Sequence, residues 1–321
     1  MKGLSPKWER LQRKVFARAE SLSAQFGGGA APVRLREAAR EQRVKRIVFR
    51  NLPVDGGLVV EDDGFVIFAR ALDDQAPKLQ AIIDCPSDGG CSLPSKARFT
   101  IAHEIAHTLL YDLSTRRPTS LLTGGSHRQF ESLERTCNRG AARLLIPDYI
   151  IGKVLEPYDV VEASAFAPLS KQFRVSIQTL IQRFSIARIW GEKGGLAMYV
   201  EEADGGALKV CAHASDGRMR LLFPNVGFGV VLDEIFHDQS LFLYGGNSSR
   251  VEREISRGSN GRRTVQPCVV SCAEVGGNPR KFVVTIHLPS DPRRCPYDDV
   301  ADTGNIGTEP REREKSNATT Q

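Results

Sequence analysis

Apolar residues recur at helical spacing from near the start of the chain, where Trp8, Leu11, Val15, Phe16, Ala19 and Leu22 mark a helix over residues 5–25. Gly27-Gly28-Gly29 and Pro32 end it, and a short helical stretch, charged on one side, follows at 34–42. The period then falls to two, which predicts strands at 46–49, 57–61 and 65–69, with Asp62-Asp63-Gly64 as a hairpin turn between the last two. Residues 84–95, rich in Gly, Pro and Ser, predict a loop. An unbroken helical pattern covers 98–111, a polar loop 114–126, and a second helix 127–145, which Pro147 stops.

Residues 168–185 read as two short helices around a turn, with Ser176 as the N-cap of the second. Beyond 195 the pattern is mostly strand-like, at 196–202, 208–212, 219–223, 241–244, 268–275 and 282–288, with a helical insert at 228–237. That mixture predicts a separate α+β unit. The division expected is 1–160, 161–190 and 191–289, and the nearly apolar-free residues 290–321 predict a disordered tail.

Composition narrows the class only slightly. Apolar residues make up 41% of the 321 and charged residues 26%, as in an ordinary globular protein. No apolar run approaches the roughly 18 residues that cross a bilayer, and no apolar segment follows the basic N-terminus as in a secretory signal. A cytoplasmic location, with no membrane partner, is the expectation. The seven cysteines at 85, 91, 137, 211, 268, 272 and 295 are odd in number and irregular in spacing, unlike a secreted disulfide framework. The net charge of +6 is spread along the chain, which favours general solubility over a nucleic-acid face.

The chemistry concentrates at His103-Glu104-Ile105-Ala106-His107, an H-E-x-x-H pattern on a helix. Four residues turn about 400°, so both imidazoles point the same way one turn apart, a separation at which they can hold one metal ion. Glu104 sits beside the pair, able to reach a water without being a ligand. Ile101, Ala102, Ile105, Ala106, Leu109 and Leu110 surround them with apolar side chains, unlike two histidines on a solvent-facing helix.

A catalytic zinc takes three protein ligands and keeps one position open. A third histidine further along the same stretch is excluded, because that version needs Gly at 110 and His at 113, where this chain has Leu110 and Leu113. His127, Glu131 and Glu134 on the next helix remain. Phe130, Leu133, Cys137, Ala141, Leu144 and Leu145 form one stripe of that helix; Glu134 falls inside it and Glu131 at its edge. A carboxylate facing a core is costly unless paired or bound to metal, so phase favours Glu134. Gly140, Ala141 and Ala142 would let the two helices pack closely.

The run Arg98-Phe99-Thr100-Ile101-Ala102-His103-Glu104-Ile105-Ala106-His107, with the later run from Glu134 to Pro147, resembles the ImmA/IrrE family of metallopeptidases. The family's pattern is R-F-T-x-A-H-E-x-x-H followed by E-x-x-x-N-x-x-A-A-x-L-L-x-P. Cys137-Asn138 and Gly140-Ala141-Ala142 resemble the IrrE radiation-response branch most, and Ile146 stands where the family commonly has Met.

The resemblance implies a zincin-like fold, with His103, His107 and Glu134 as zinc ligands and Glu104 as general base. It also implies a helix-turn-helix-like segment at 161–190 and, in the IrrE branch, a GAF-like sensor domain, for which 191–289 is the place. The implied substrate is a helix-turn-helix repressor cut in a stress or DNA-damage response.

Zinc is the expected metal, though two His and one Glu would also suit Mn2+ or Fe2+. Tyr111, one turn past His107, and His127 are candidates to stabilise the transition state, and the sequence does not decide between them. A DNA-reading role for the segment near 170 would use Lys171, Arg174, Gln178 and Arg183, but a packing role is favoured. The competing class is a non-proteolytic regulator that holds a repressor or DNA around a structural metal site.

Overall fold

A computed structural model describes residues 6–27, 32–115, 127–155, 162–186, 195–216, 219, 223, 226–232, 249–257, 262–276 and 279–288. Among them the chain is mixed α+β, with eight α-helices and two sheets. Helix α1 (Pro6–Phe26) buries the expected stripe of Trp8, Leu11, Val15, Ala19 and Leu22. Helix α2 (Leu35–Glu41) leads into β1 (Val44–Arg50), then β2 (Gly56–Glu61) and β3 (Gly64–Arg70). These strands form a sheet in the order β1-β3-β2, with β3 parallel to β1 and antiparallel to β2. Phe65, Val66, Ile67 and Ala69 of the central β3 are buried, while Val59 and Val60 of the edge strand β2 are exposed.

Helix α4 (Ser95–Thr108) packs on β3 and β2, and α5 (His127–Leu145) lies across α4 and α1. Gly140 sets how close α5 comes. A Cβ there would stand 3.0 Å from Val15 Cγ1 and 3.2 Å from Ala106 Cβ. At the start of α4, Arg98 is fully buried and donates to the carbonyls of Gly90 (2.7 Å) and Val33 (3.0 Å), tying the preceding loop to the helix. Burial pushes its guanidinium down to about 10, still charged at neutral pH.

Two short helices do not follow from the sequence pattern. In α3 (Ala76–Asp84) only Leu79 and Ile83 are buried, too few positions to declare a period. Helix α6 (Asp148–Leu155) starts directly after Pro147, which ends α5 without preventing a new helix.

Helices α7 (Phe166–Phe173) and α8 (Ile177–Ile186) bracket a turn in which Arg174 is left-handed, with φ 51°. Ser176 Oγ accepts the Thr179 amide at 3.1 Å, capping α8 as expected. Lys171, Arg174 and Gln178 are exposed, but Arg183 is 0% exposed and unavailable to DNA. Its guanidinium donates to the Ile146 carbonyl at 2.7 Å and pairs with Asp148 and with Glu20, 3.4 Å away. Arg143 pairs with the same two carboxylates. This cluster ties α1, α5, α6 and α8 together.

The second sheet has the order β5-β4-β8-β7-β6, antiparallel throughout: β4 (Gly195–Glu202), β5 (Leu208–Ser215), β6 (Ser249–Arg257), β7 (Arg262–Glu274) and β8 (Lys281–His287). One face, with Ala197, Tyr199, Ala212, Ala214 and Val283, joins the core of the first sheet, and α8 packs on β4 and β5. The other face, with Leu196, Met198, Val210, Cys272 and Ile286, forms a second apolar cluster with Met219, Phe223 and Leu232. Strand β6 is not foreshadowed by the sequence pattern. The strand expected at 241–244, the tail 290–321, residues 220–222 and residues 233–237 lie outside the described residues; the described 228–232, expected to begin a helical insert, instead form a turn and a bridge from Val231 to Lys209 of β5.

Breaking a fully buried ion pair typically costs about 3–5 kcal/mol; here Arg143 still pairs with Glu20 and Asp148, so the loss of Arg183 falls at the low end of that range. Arg183→Met is therefore expected to lower unfolding free energy by about 3 kcal/mol in urea titrations. A loss within about 0.5 kcal/mol, the scale of an ordinary surface substitution, would show that the cluster does not hold these helices together.

Candidate metal centre

Helix α4 turns His103 and His107 to the same side, with Nε2 atoms 2.9 Å apart and both rings mostly buried. From α5, Glu134 Oε2 lies 3.2 Å from His103 Nε2, and Oε1 lies 3.5 Å from His107 Nε2. The donor atoms of the three residues all lie within 4.8 Å of one another. A tetrahedral ion with bonds of 2.0–2.1 Å has its ligand atoms roughly 3.3 Å apart, a spacing these separations bracket. The donor set fits a divalent metal of the zinc type, and its identity is left open by two nitrogens and a carboxylate.

The other two candidates on α5 turn away. Glu131 and His127 pair with each other at 3.3 Å on the surface, their side chains 51% and 85% exposed, against 32% for Glu134. Phase turns Glu131 about 60° away from Glu134, whereas His127 shares Glu134's phase but stands two turns earlier, at the first residue of α5.

The three donors open on a cleft of about 600 Å³ between β2 and α5. Glu104, Thr100 and Phe99 line it from α4, Gly56, Gly57 and Leu58 from β2, and Phe130 and Asn138 from α5. Phe130 departs from the expected core stripe, being 61% exposed at the rim. It lies one turn before Glu134 on the same face, so it follows the carboxylate into the cleft rather than the interior. Tyr111 also lines the cleft, with its ring edge-on to Phe65 at 5.3 Å, so it both packs and faces the site. His127 is not among the lining residues.

Three lining residues had a weaker mark in the sequence. Asn138 follows Glu134 by one turn, and Gly56-Gly57 within a strand signals close approach of another group. That group is Glu104: a Cβ on Gly56 would come within 2.9 Å of Glu104 Oε1 and 2.6 Å of Thr100 Cγ2. Thr100 carries no mark beyond its place in the motif.

The electrostatics follow from burial and the short contacts. Burial raises the Glu104 carboxyl above its ordinary range, and the histidines only partly offset this. Hydrogen bonds from His103 and His107 hold Glu134 far below the carboxylate range. Burial works against protonation of His103, but its bond to Glu134 and the charges of Glu104 and Glu134 outweigh that and raise it. The half-buried carboxylate is thus fixed as an anion by the histidines, while its buried neighbour is made more basic.

Residues 92–185 match the peptidase family described as the IrrE N-terminal-like domain. Among solved structures, a Mycobacterium tuberculosis transcriptional regulator is similar at 15% identity and a TM-score of 0.47, over 93% of this chain and 86% of that one. A search of curated proteins finds no match. The matched segment holds both histidines, Glu104 and Glu134, and the match supports ImmA/IrrE family membership for residues 92–185.

Proposed function

We propose that the chain is a metal-dependent endopeptidase, with His103, His107 and Glu134 holding the ion and Glu104 as general base. The observation that carries this is a three-donor cluster opening on a cleft beside a second, buried carboxyl group, Glu104, that is not one of the donors. When bound by His103, His107 and Glu134, a divalent cation, zinc first and Mn2+ or Fe2+ as alternatives, would supply Lewis acidity toward the scissile carbonyl and toward water. Glu104 takes the proton from the attacking water and delivers it to the leaving amine as the C–N bond breaks. Gly56, by having no side chain, leaves the Glu104 carboxylate its place. Tyr111 is the better placed of the two candidates for the developing oxyanion, since it lines the cleft and His127 does not.

The edge strand β2 lies beside the donors and, among the described residues, has one side unpaired in its sheet. An extended peptide can add to such an edge by main-chain hydrogen bonds, with apolar side chains against Val54 and Phe130, both exposed at the rim. By resemblance the substrate is a helix-turn-helix repressor whose cleavage in the cytoplasm relieves repression under stress or DNA damage. Residues 161–190 are then a helix-turn-helix-like docking unit and 191–289 a GAF-like sensor. The described helices are not long and apolar enough to cross a membrane. The competing reading, a regulator that only binds, leaves Glu104 without a task.

Two substitutions test the assignment on zinc-loaded protein mixed with a helix-turn-helix repressor encoded beside its gene. Glu104→Gln is expected to keep its zinc and lose at least about 100-fold in cleavage rate, the scale of general-base catalysis. Equal, tight binding of the repressor by both proteins without cleavage in any of the three metals would favour the binding reading. Gly56→Ala is expected to displace the carboxylate and slow cleavage about tenfold or more at unchanged zinc stoichiometry, because small misplacements of a reacting group are costly. An Ala variant as fast as the parent would remove Gly56 from the site.

A further inference from the structure

The side of His107 turned away from Glu134 meets a cysteine. Cys137 is buried, and its Sγ lies 3.5 Å from His107 Nδ1. The contact follows from the phase of α5. Residues 134 and 137 are three apart on one helix face, so the helix sets a carboxylate against Nε2 of the ring and a thiol against Nδ1. The other imidazole differs, because His103 Nδ1 is buried and has no hydrogen-bond partner among the described residues.

A neutral imidazole carries one proton, and which nitrogen bears it is set by the hydrogen bond that the other makes. If Nε2 is to give its lone pair to a metal, the proton must sit on Nδ1 and needs an acceptor, since a buried N–H left unpaired is costly. Behind a metal-binding histidine that acceptor is commonly a carboxylate, a carbonyl or a water. Among the described residues, Cys137 is the group recorded at His107 Nδ1.

We propose that Cys137 is a positioning residue for the metal site: its sulfur accepts the Nδ1–H of His107 and fixes the ring in the tautomer that leaves Nε2 free. This rests on the metallopeptidase reading above. Cys137 is not itself a ligand, because its sulfur contacts the nitrogen on the far side of the ring from Glu134. Sulfur is a weak acceptor, so it orients the ring without adding the basicity that a carboxylate gives.

Packing alone would also bury a cysteine here, and two variants of the full chain separate the roles. Cys137→Val keeps an apolar side chain of similar size and removes the acceptor. Cys137→Ser keeps an acceptor and places a polar hydroxyl in an apolar setting. Metal-free thermal unfolding reads packing, and zinc affinity by competition with a chromophoric chelator reads positioning.

The expected result is a crossed pattern. The Val variant unfolds within a few degrees of the parent but binds zinc about tenfold or more weakly, the scale for loss of an orienting partner. The Ser variant unfolds earlier yet stays closer to the parent in zinc affinity. Parent-like zinc affinity in the Val variant overturns the proposal, as does affinity falling in step with stability in both. A parent protein that takes up no divalent metal overturns the metallopeptidase reading itself, and this proposal with it.

Discussion

Helix α5 lies against α4 at the distance that Gly140 permits, with Ala106 on one side and Val15 of α1 on the other. Neither imidazole can find its third partner on α4, so the carboxylate must come across this contact. A side chain at 140 would part the helices, and a fraction of an ångström matters where Glu134 stands 3.2 and 3.5 Å from the two Nε2 atoms. The same contact brings Cys137 behind His107 and sends Phe130 and Asn138 to the cleft. One close approach of two helices therefore builds the donor set, its support and part of its rim.

The rest of the fold holds that pair in place. The first sheet supports α4 from below and offers β2 as the opposite wall, with Gly56 leaving room for Glu104. Arg98 pins the start of α4 to the loop before it, and α1 backs α5. At the far end of α5, Arg143 and Arg183 share Glu20 and Asp148, which fixes α8 to the helix that carries Glu134. Because α8 also packs on β4 and β5, it links the second sheet to the helix that carries Glu134.

Much of this was legible in the sequence where one helix or hairpin decides the outcome. The i, i+4 histidines, the limits of α5, the β2–β3 hairpin and the Ser176 cap all follow from local spacing. Glu134 was separable from Glu131 by phase, which places it inside the stripe toward α4, whereas His127 shares that phase and is set apart only by lying two turns earlier on α5. What escaped depends on distant partners. Phe130 shares the phase of the core stripe, yet its turn of α5 projects into the cleft. Arg183 reads as a free cation until Glu20, from the other end of the domain, closes on it. Gly56 marks a close approach, but only the packing of β2 on α4 shows that the neighbour is Glu104. Short elements such as α3 and α6 carry too few buried positions to announce themselves, and β6 has only Val251 and Ile255 as apolar residues among nine.

X-ray absorption spectroscopy at the zinc edge of the zinc-loaded, full-length protein reads the ligand set directly. A four-coordinate shell of nitrogen and oxygen near 2.0 Å, with the outer scattering of two imidazoles, is the result that two helices meeting at His103, His107 and Glu134 require. Sulfur scattering near 2.3 Å would put a cysteine on the metal, and would contradict both the open three-donor site and the place given to Glu104 beside it.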